Sequence, residues 1–157
     1  MKIQNSKQGF TLIELLITLA IFGLFVVTVT SVAISVISAQ RKAFGTQNVQ
    51  EAGRFVSELL TKEIRTSIVN SVLDGNKVLD INTFTENVVY FFDENRHQLL
   101  RNGYEISPEN VTLDGFFIVN GLPDNPVVTF IADLTSEVPK AAEQSKIYVQ
   151  STITPRK

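Results

Sequence analysis

The chain has 157 residues, 44% of them hydrophobic, with 14 basic and 16 acidic side chains, a formal net charge of −2 and a pI near 5.4. That length allows one domain, and a slightly acidic balance without clustered Lys and Arg leaves no general electrostatic footprint for nucleic acid. With no cysteine in the chain, a disulfide staple, a thiol nucleophile and a Cys-based zinc site are excluded.

The first eight residues are polar and carry Lys2 and Lys7, and Gly9 follows them. From residue 10 to residue 39 the only formal charge is Glu14. At 1.5 Å per residue this stretch is long enough to cross a bilayer as a helix. A carboxylate in the apolar part of such a helix costs roughly 2.5–3.5 kcal/mol on insertion scales, so Glu14 needs a partner near by. A secretory signal would also combine a basic start with an apolar core, and Ser31-Val32-Ala33 is a passable cleavage site that would leave a mature chain starting near Ile34. The apolar run, however, exceeds the usual 7–15 residues of such a signal, and Glu14 interrupts it. A plain single-pass anchor, with Lys2 and Lys7 holding the N-terminus in the cytoplasm, would explain the length but not the pattern around Gly9.

That pattern is Gly9-Phe10-Thr11-Leu12-Ile13-Glu14, behind a short basic leader and in front of the apolar run. It closely resembles the type IV prepilin signal. The resemblance implies that a prepilin peptidase cuts after Gly9 on the cytoplasmic face and methylates Phe10, which becomes the first residue of the mature chain. It also implies that Glu14 pairs with the Phe10 ammonium of a neighbouring subunit as the chain enters a filament. Elementary electrostatics agrees: an acid and an amine in apolar surroundings attract strongly, and both desolvation costs are relieved only when a second subunit is in register. Gly23 weakens the helix by roughly 1 kcal/mol relative to alanine. Major pilins carry a glycine here and a proline eight residues later. This chain has Ser31 at the second place, and Gly23 is equally suited to close packing between helices.

Beyond residue 39 the apolar run gives way to Gln40-Arg41-Lys42, but no proline interrupts the chain before Pro108. Ala52, Val56, Leu60, Ile64 and Ile68, joined by Phe55, Leu59 and Val69, repeat with the spacing of an amphipathic helix. Glu51, Arg54, Glu58, Lys62 and Arg65 occupy the other side, with Glu58 and Lys62 at an i, i+4 spacing suited to pairing. One helix is therefore expected from residue 10 to about residue 72, roughly 90 Å long, with its amphipathic half at about 40–72.

After the turn signal Asp74-Gly75-Asn76, short Val-, Ile-, Phe- and Tyr-rich runs predict strands at 78–81, 88–92, 98–101, 111–119, 127–132 and 147–153, a sheet of about 77–154. Residues 93–96 join two of these as a hairpin. Gly115 marks a bulge or a close backbone contact. Residues 121–126, Gly-Leu-Pro-Asp-Asn-Pro, read as a loop, and residues 135–145, which include Pro139, Lys140, Ala141 and Ala142, as a mobile loop or one helical turn.

The expected fold is α+β: a long N-terminal helix, its first half transmembrane, packed on an antiparallel β-sheet, as the resemblance to type IV pilin-like proteins implies. The expected division is a leader at 1–9, a transmembrane assembly helix at 10–39 and a soluble domain at 40–157. Val88-Val89-Tyr90-Phe91-Phe92-Asp93 with Leu99-Leu100-Arg101 also resembles minor pseudopilins of the J type and related minor pilins.

No catalytic constellation is visible. His97 is the sole histidine and lies in a presumed turn; no serine sits in a nucleophile elbow, and phosphate and dinucleotide loops are absent. Asp74, Asn76 and Asp80 could lend oxygens to calcium, but their spacing lacks the rest of a calcium loop, so they read as turn residues. Asn110-Val111-Thr112 is a glycosylation sequon only formally. No enzyme activity and no cofactor are expected. The expected function is that of a structural subunit, a minor pilin or pseudopilin of a type IV pilus, type II secretion or DNA-uptake filament. Its partners are the prepilin peptidase, other pilin subunits, an inner-membrane assembly platform and the membrane itself. It would wait in the inner membrane with its N-terminus cytoplasmic, then enter a surface or periplasmic filament. The alternative is a membrane-tethered binding module that is neither cleaved nor assembled.

Overall fold

The computed structural model describes residues 9–73, 75–122, 125–138, 140 and 143–156, with side chains except that of Leu122. Residues 1–8 of the expected leader and the loop positions Asp74, Pro123, Asp124, Pro139, Ala141 and Ala142 lie outside the described residues. The element order is α1 (Leu12–Arg65), β1 (Ile68–Leu73), β2 (Val78–Asn82), β3 (Asn87–Asp93), β4 (Gln98–Arg101), β5 (Tyr104–Glu105), β6 (Val111–Leu122), β7 (Asn125–Ser136) and β8 (Lys146–Ile153). This is the α+β architecture expected, a long N-terminal apolar helix followed by antiparallel sheet. The chain divides into two compact units between Gln40 and Arg41.

In the first unit α1 exposes nearly every side chain, with Leu12 at 84% and Leu24 at 72%, and its most apolar window has a mean hydropathy of 2.6. Its hydroxyls turn inward on the backbone. Thr28 and Thr30 donate to the carbonyls of Leu24 and Val26 at 2.8 Å, Ser35 donates to Ser31, and Thr18 donates to Glu14. Each hydroxyl proton is thereby satisfied without water, as an apolar surrounding requires.

In the second unit the same helix buries Gly45, Val49, Ala52, Gly53, Val56, Leu60 and Ile64; Ala52, Val56, Leu60 and Ile64 are the expected stripe, whereas Phe55, expected beside it, and Ile68, expected to continue it, are exposed. The helix ends at Arg65, seven residues short of the expected 72. Thr66 and Ser67 account for the difference, because their hydroxyls cap the carbonyls of Lys62 and Glu63. The backbone N–H of Arg156 takes the carbonyl of Arg65 at 2.9 Å. Ile68 and Val69, β-branched and released from the helix, start β1. Glu58 and Lys62, spaced for pairing, form no ion pair.

The strands form two antiparallel sheets, one ordered β1-β2-β3-β4-β5 and one ordered β6-β7-β8. Leu79, Ile81, Val88, Tyr90, Phe92 and Leu99 from the first join Leu113, Phe117, Val128, Phe130 and Leu134 from the second, over the helix stripe, in one core. The sheets meet at β6. Asn76 and His97, at φ 72° and 53°, sit in the β1–β2 and β3–β4 turns, and their carbonyls accept the N–H groups of Phe117 and Leu113 at 2.7 Å. Left-handed turn residues thus satisfy donors on β6 that would otherwise lie unpaired.

A half-buried polar cluster ties the helix end to the first sheet. Glu63 accepts from the Tyr90 hydroxyl at 2.7 Å and from Arg101 Nε at 3.2 Å, while Arg101 donates also to Glu86 at 2.7 Å. Burial first, and then the Glu63 carboxylate, push the Tyr90 hydroxyl far above the ordinary phenol range.

Expected strand positions hold, with ends that extend. The span 121–126, read as a loop, is mostly ladder: Gly121 pairs with Pro126 and Leu122 with Asn125, so the connection is two residues. Of the segment 135–145, Thr135 and Ser136 belong to β7. β5 is an element that periodicity missed, because two residues carry no pattern. Asn102 and Gly103, both at positive φ (51° and 83°), form the two-residue turn that creates it.

Gly115 is a close contact and not a bulge, since β6 and β7 stay in register across it. A Cβ there would meet the Ile131 carbonyl oxygen at 2.5 Å and the Phe92 ring at 2.7 Å, where Phe92 packs on Phe117 with ring centroids 4.8 Å apart. Gly115→Ala is expected to destabilise the second unit by about 1–3 kcal/mol through overpacking. In urea unfolding followed by near-ultraviolet circular dichroism the midpoint should fall with m unchanged; an unmoved midpoint would show that the neighbours yield.

Candidate assembly segment

The start of α1 brings together Gly9, Phe10, Thr11 and Glu14. Thr11 stands just outside the helix. Its backbone N–H donates to Glu14 Oε2 at 3.1 Å and its hydroxyl donates to the same oxygen at 3.0 Å. In return the Glu14 N–H lies 3.3 Å from Thr11 Oγ1. This reciprocal arrangement is a capping box, in which two donors with no helical partner are satisfied by two side chains. The carboxylate also sits in the first turn, where the helix dipole favours negative charge.

Thr11 was not singled out from the sequence, yet its signal is there: Thr11-Leu12-Ile13-Glu14 is a Thr-x-x-Glu run opening an apolar stretch. Within a single chain, then, Glu14 is engaged by Thr11. Phe10 is 80% exposed, with no fold contact to hold it.

The two glycines of this segment are free of local demands. A Cβ at Gly9 or at Gly23 would meet nothing within 4 Å, and neither has a positive φ. Whatever requires glycine at residue 9 must act from outside the fold. At Gly23 the open surface suits a close approach by another helix.

The remaining sequence candidates are structural. His97 Nδ1 lies 2.8 Å from Asp114 Oδ2, so the turn histidine is paired to β6 as well as hydrated. Asp80 accepts from Asn70 at 2.9 Å, and Asn76 shapes the β1–β2 turn. Among the described residues no group of three or more His, Cys, Asp or Glu is placed to hold a metal ion.

Comparison with known families places this segment. The family model for the prokaryotic N-terminal methylation motif matches residues 4–30, which include Gly9, Phe10, Thr11, Glu14 and Gly23. Over those residues the chain carries the N-terminal motif of type IV pilin-like proteins, which supports that reading. Searches of curated proteins and of solved structures returned no match. The motif marks substrates of prepilin peptidase that assemble with other pilins, and with the apolar helix it is consistent with anchoring of the pilin-like chain in a membrane.

Loss of the cap has a measurable signature. Thr11→Val removes the hydroxyl at similar volume and should cost the first turn about 1 kcal/mol. Amide exchange at residues 12–15 of the micelle-bound chain should then rise roughly fivefold. Unchanged protection would mean that the box contributes nothing to the helix start.

Proposed function

We propose that this chain is a structural subunit, a minor pilin or pseudopilin of a type IV pilus, type II secretion or DNA-uptake filament, and not an enzyme. Prepilin peptidase hydrolyses the Gly9–Phe10 bond on the cytoplasmic face, leaving Gly9 as the carboxyl end of the leader and Phe10 as a new ammonium, which is then methylated. The mature chain occupies the inner membrane with its C-terminal domain outside until the assembly platform draws it into a filament. The reading rests on one observation above the others: from residue 12 to residue 30 α1 exposes every apolar side chain and carries a single acid, Glu14, and this stretch lies inside a methylation motif.

Each element has a physical part. Before processing, Glu14 is satisfied by Thr11, so the acid tolerates the membrane. Cleavage places a cation one residue from that cap. When a second subunit presents its Phe10 ammonium, the pairing offsets two desolvation costs that no isolated subunit can offset so well. Apolar packing of residues 10–39 then holds subunits together once these surfaces leave the lipid. The charge sets register and the apolar area supplies cohesion. Absence of cysteine, and of a proline after Gly23, favours a minor subunit over a major one, and the 88–101 strand pair resembles J-type pseudopilins.

Two outcomes test the reading in cells with an active peptidase. Gly9→Val should leave full-length precursor in the membrane, read as an N-terminal mass that still includes Met1; normal trimming of that variant would remove the processing role of Gly9. Glu14→Val should be trimmed normally but assemble at least about tenfold less well, since a lost pairing of about 1.4 kcal/mol already gives that factor. An undiminished filament yield would remove the proposed role of the charge, whereas an intact Met1 in the parent chain would point instead to a tethered binding module.

A further inference from the structure

Two grooves on the second unit carry opposite charge, and both border α1. The larger, about 480 Å³, is lined by Lys62, Arg65 and Arg156 with a single acid, Glu58. Among the described residues none of these three cations is ion-paired. Arg156 is held beside the helix end by its own N–H to the Arg65 carbonyl. The smaller groove, about 280 Å³, is lined by Glu51, Phe55, Pro108 and Glu109, with no cation.

The two lie on different faces of α1. Phe44, Asn48, Glu51 and Phe55 follow the i, i+4, i+7, i+11 spacing of one helical stripe, with Phe44 at 64% and Phe55 at 48% exposure. Arg54, Glu58, Thr61 and Arg65 follow the same spacing about 80° round the axis. The second stripe starts ten residues later, about 15 Å further along the helix.

We propose that the cationic groove at Lys62, Arg65 and Arg156 receives the Glu51–Phe55–Glu109 flank of a second copy of this chain. The inference rests on the filament reading above. Three cations against one acid on one side meet two acids and no cation on the other, and Phe44 and Phe55 add apolar area that the monomer leaves wet. Copies inserted through the same N-terminal segment point the same way. Between parallel copies at equal height the two grooves miss each other by about 15 Å, so engagement requires an axial step. A contact of two different patches with an axial step joins neighbouring copies at different heights, and two adjacent copies suffice for it.

A chain without cysteine permits a direct test. Full-length copies carrying Thr61→Cys and Asn48→Cys, with different tags, are co-expressed and treated with a short bis-maleimide in membranes and in sheared filaments. A cross-linked pair bearing both tags is expected, and neither variant alone should yield one. Lys62→Glu with Arg65→Glu on the Thr61→Cys copy should lower the mixed product at least about tenfold, and Glu51→Lys with Glu109→Lys on the other copy should restore it. All four are exposed, and thermal unfolding of each variant checks that the domain stays folded. Trimmed chains in filaments that give no mixed product, or that link Thr61→Cys only to a different protein, overturn the contact while leaving the filament reading intact. An untrimmed N-terminus overturns the filament reading and this contact with it.

Discussion

The structure depends on an apolar helical surface that this chain cannot cover by itself. Residues of the first unit from Leu12 onward expose leucine, isoleucine, valine and phenylalanine in all directions, so water is an unfavourable surrounding at every azimuth. Lipid accepts this surface before assembly, and other helices accept it afterwards. The hydroxyls of Thr18, Thr28, Thr30 and Ser35 fit either setting because their protons are spent on the helix's own carbonyls. Glu14 is the one charged side chain on this surface, and on the proposed reading it is the residue through which one subunit senses another.

The capping box changes how that acid is understood. A bare carboxylate in the first turn would carry its full desolvation cost through every stage in the membrane. Held by the Thr11 N–H and hydroxyl, it is partly compensated, and the same contact starts the helix. On the proposed reading the motif joins two requirements in a few residues: a helix that begins cleanly beside the cleavage point, and a charge kept ready for an incoming amine.

The second unit must stand without disulfides, and it does so by convergence of α1 and both sheets on one core. Small residues set how closely they approach. At Gly53 a Cβ would come within 3.0 Å of Ile147 and 3.2 Å of Val149, and at Gly45 within 3.0 Å of Ser136, so the helix backbone lies almost on β7 and β8. The Glu63, Tyr90 and Arg101 cluster then fixes the helix end to the first sheet. Both devices hold in place the part of α1 that borders the two charged grooves.

The sequence alone determined the features that depend on local period and composition: the membrane-length run, the isolated Glu14, the amphipathic stripe from Ala52 to Ile64, and six strands by their β-branched and aromatic runs. It also contained the Thr11-to-Glu14 cap and the Asn102-Gly103 turn, signals short enough to pass unread. Tertiary structure decided the rest. Whether the helix continued past Arg65 depended on capping hydroxyls and on Arg156, ninety-one residues away in sequence. The division into two sheets turned on carbonyls offered by Asn76 and His97 to β6, and Gly115 proved a contact rather than a bulge only once Phe92 lay against it. Each of these is a meeting of distant residues, and no periodicity along a chain encodes which distant groups will find one another in a shared core.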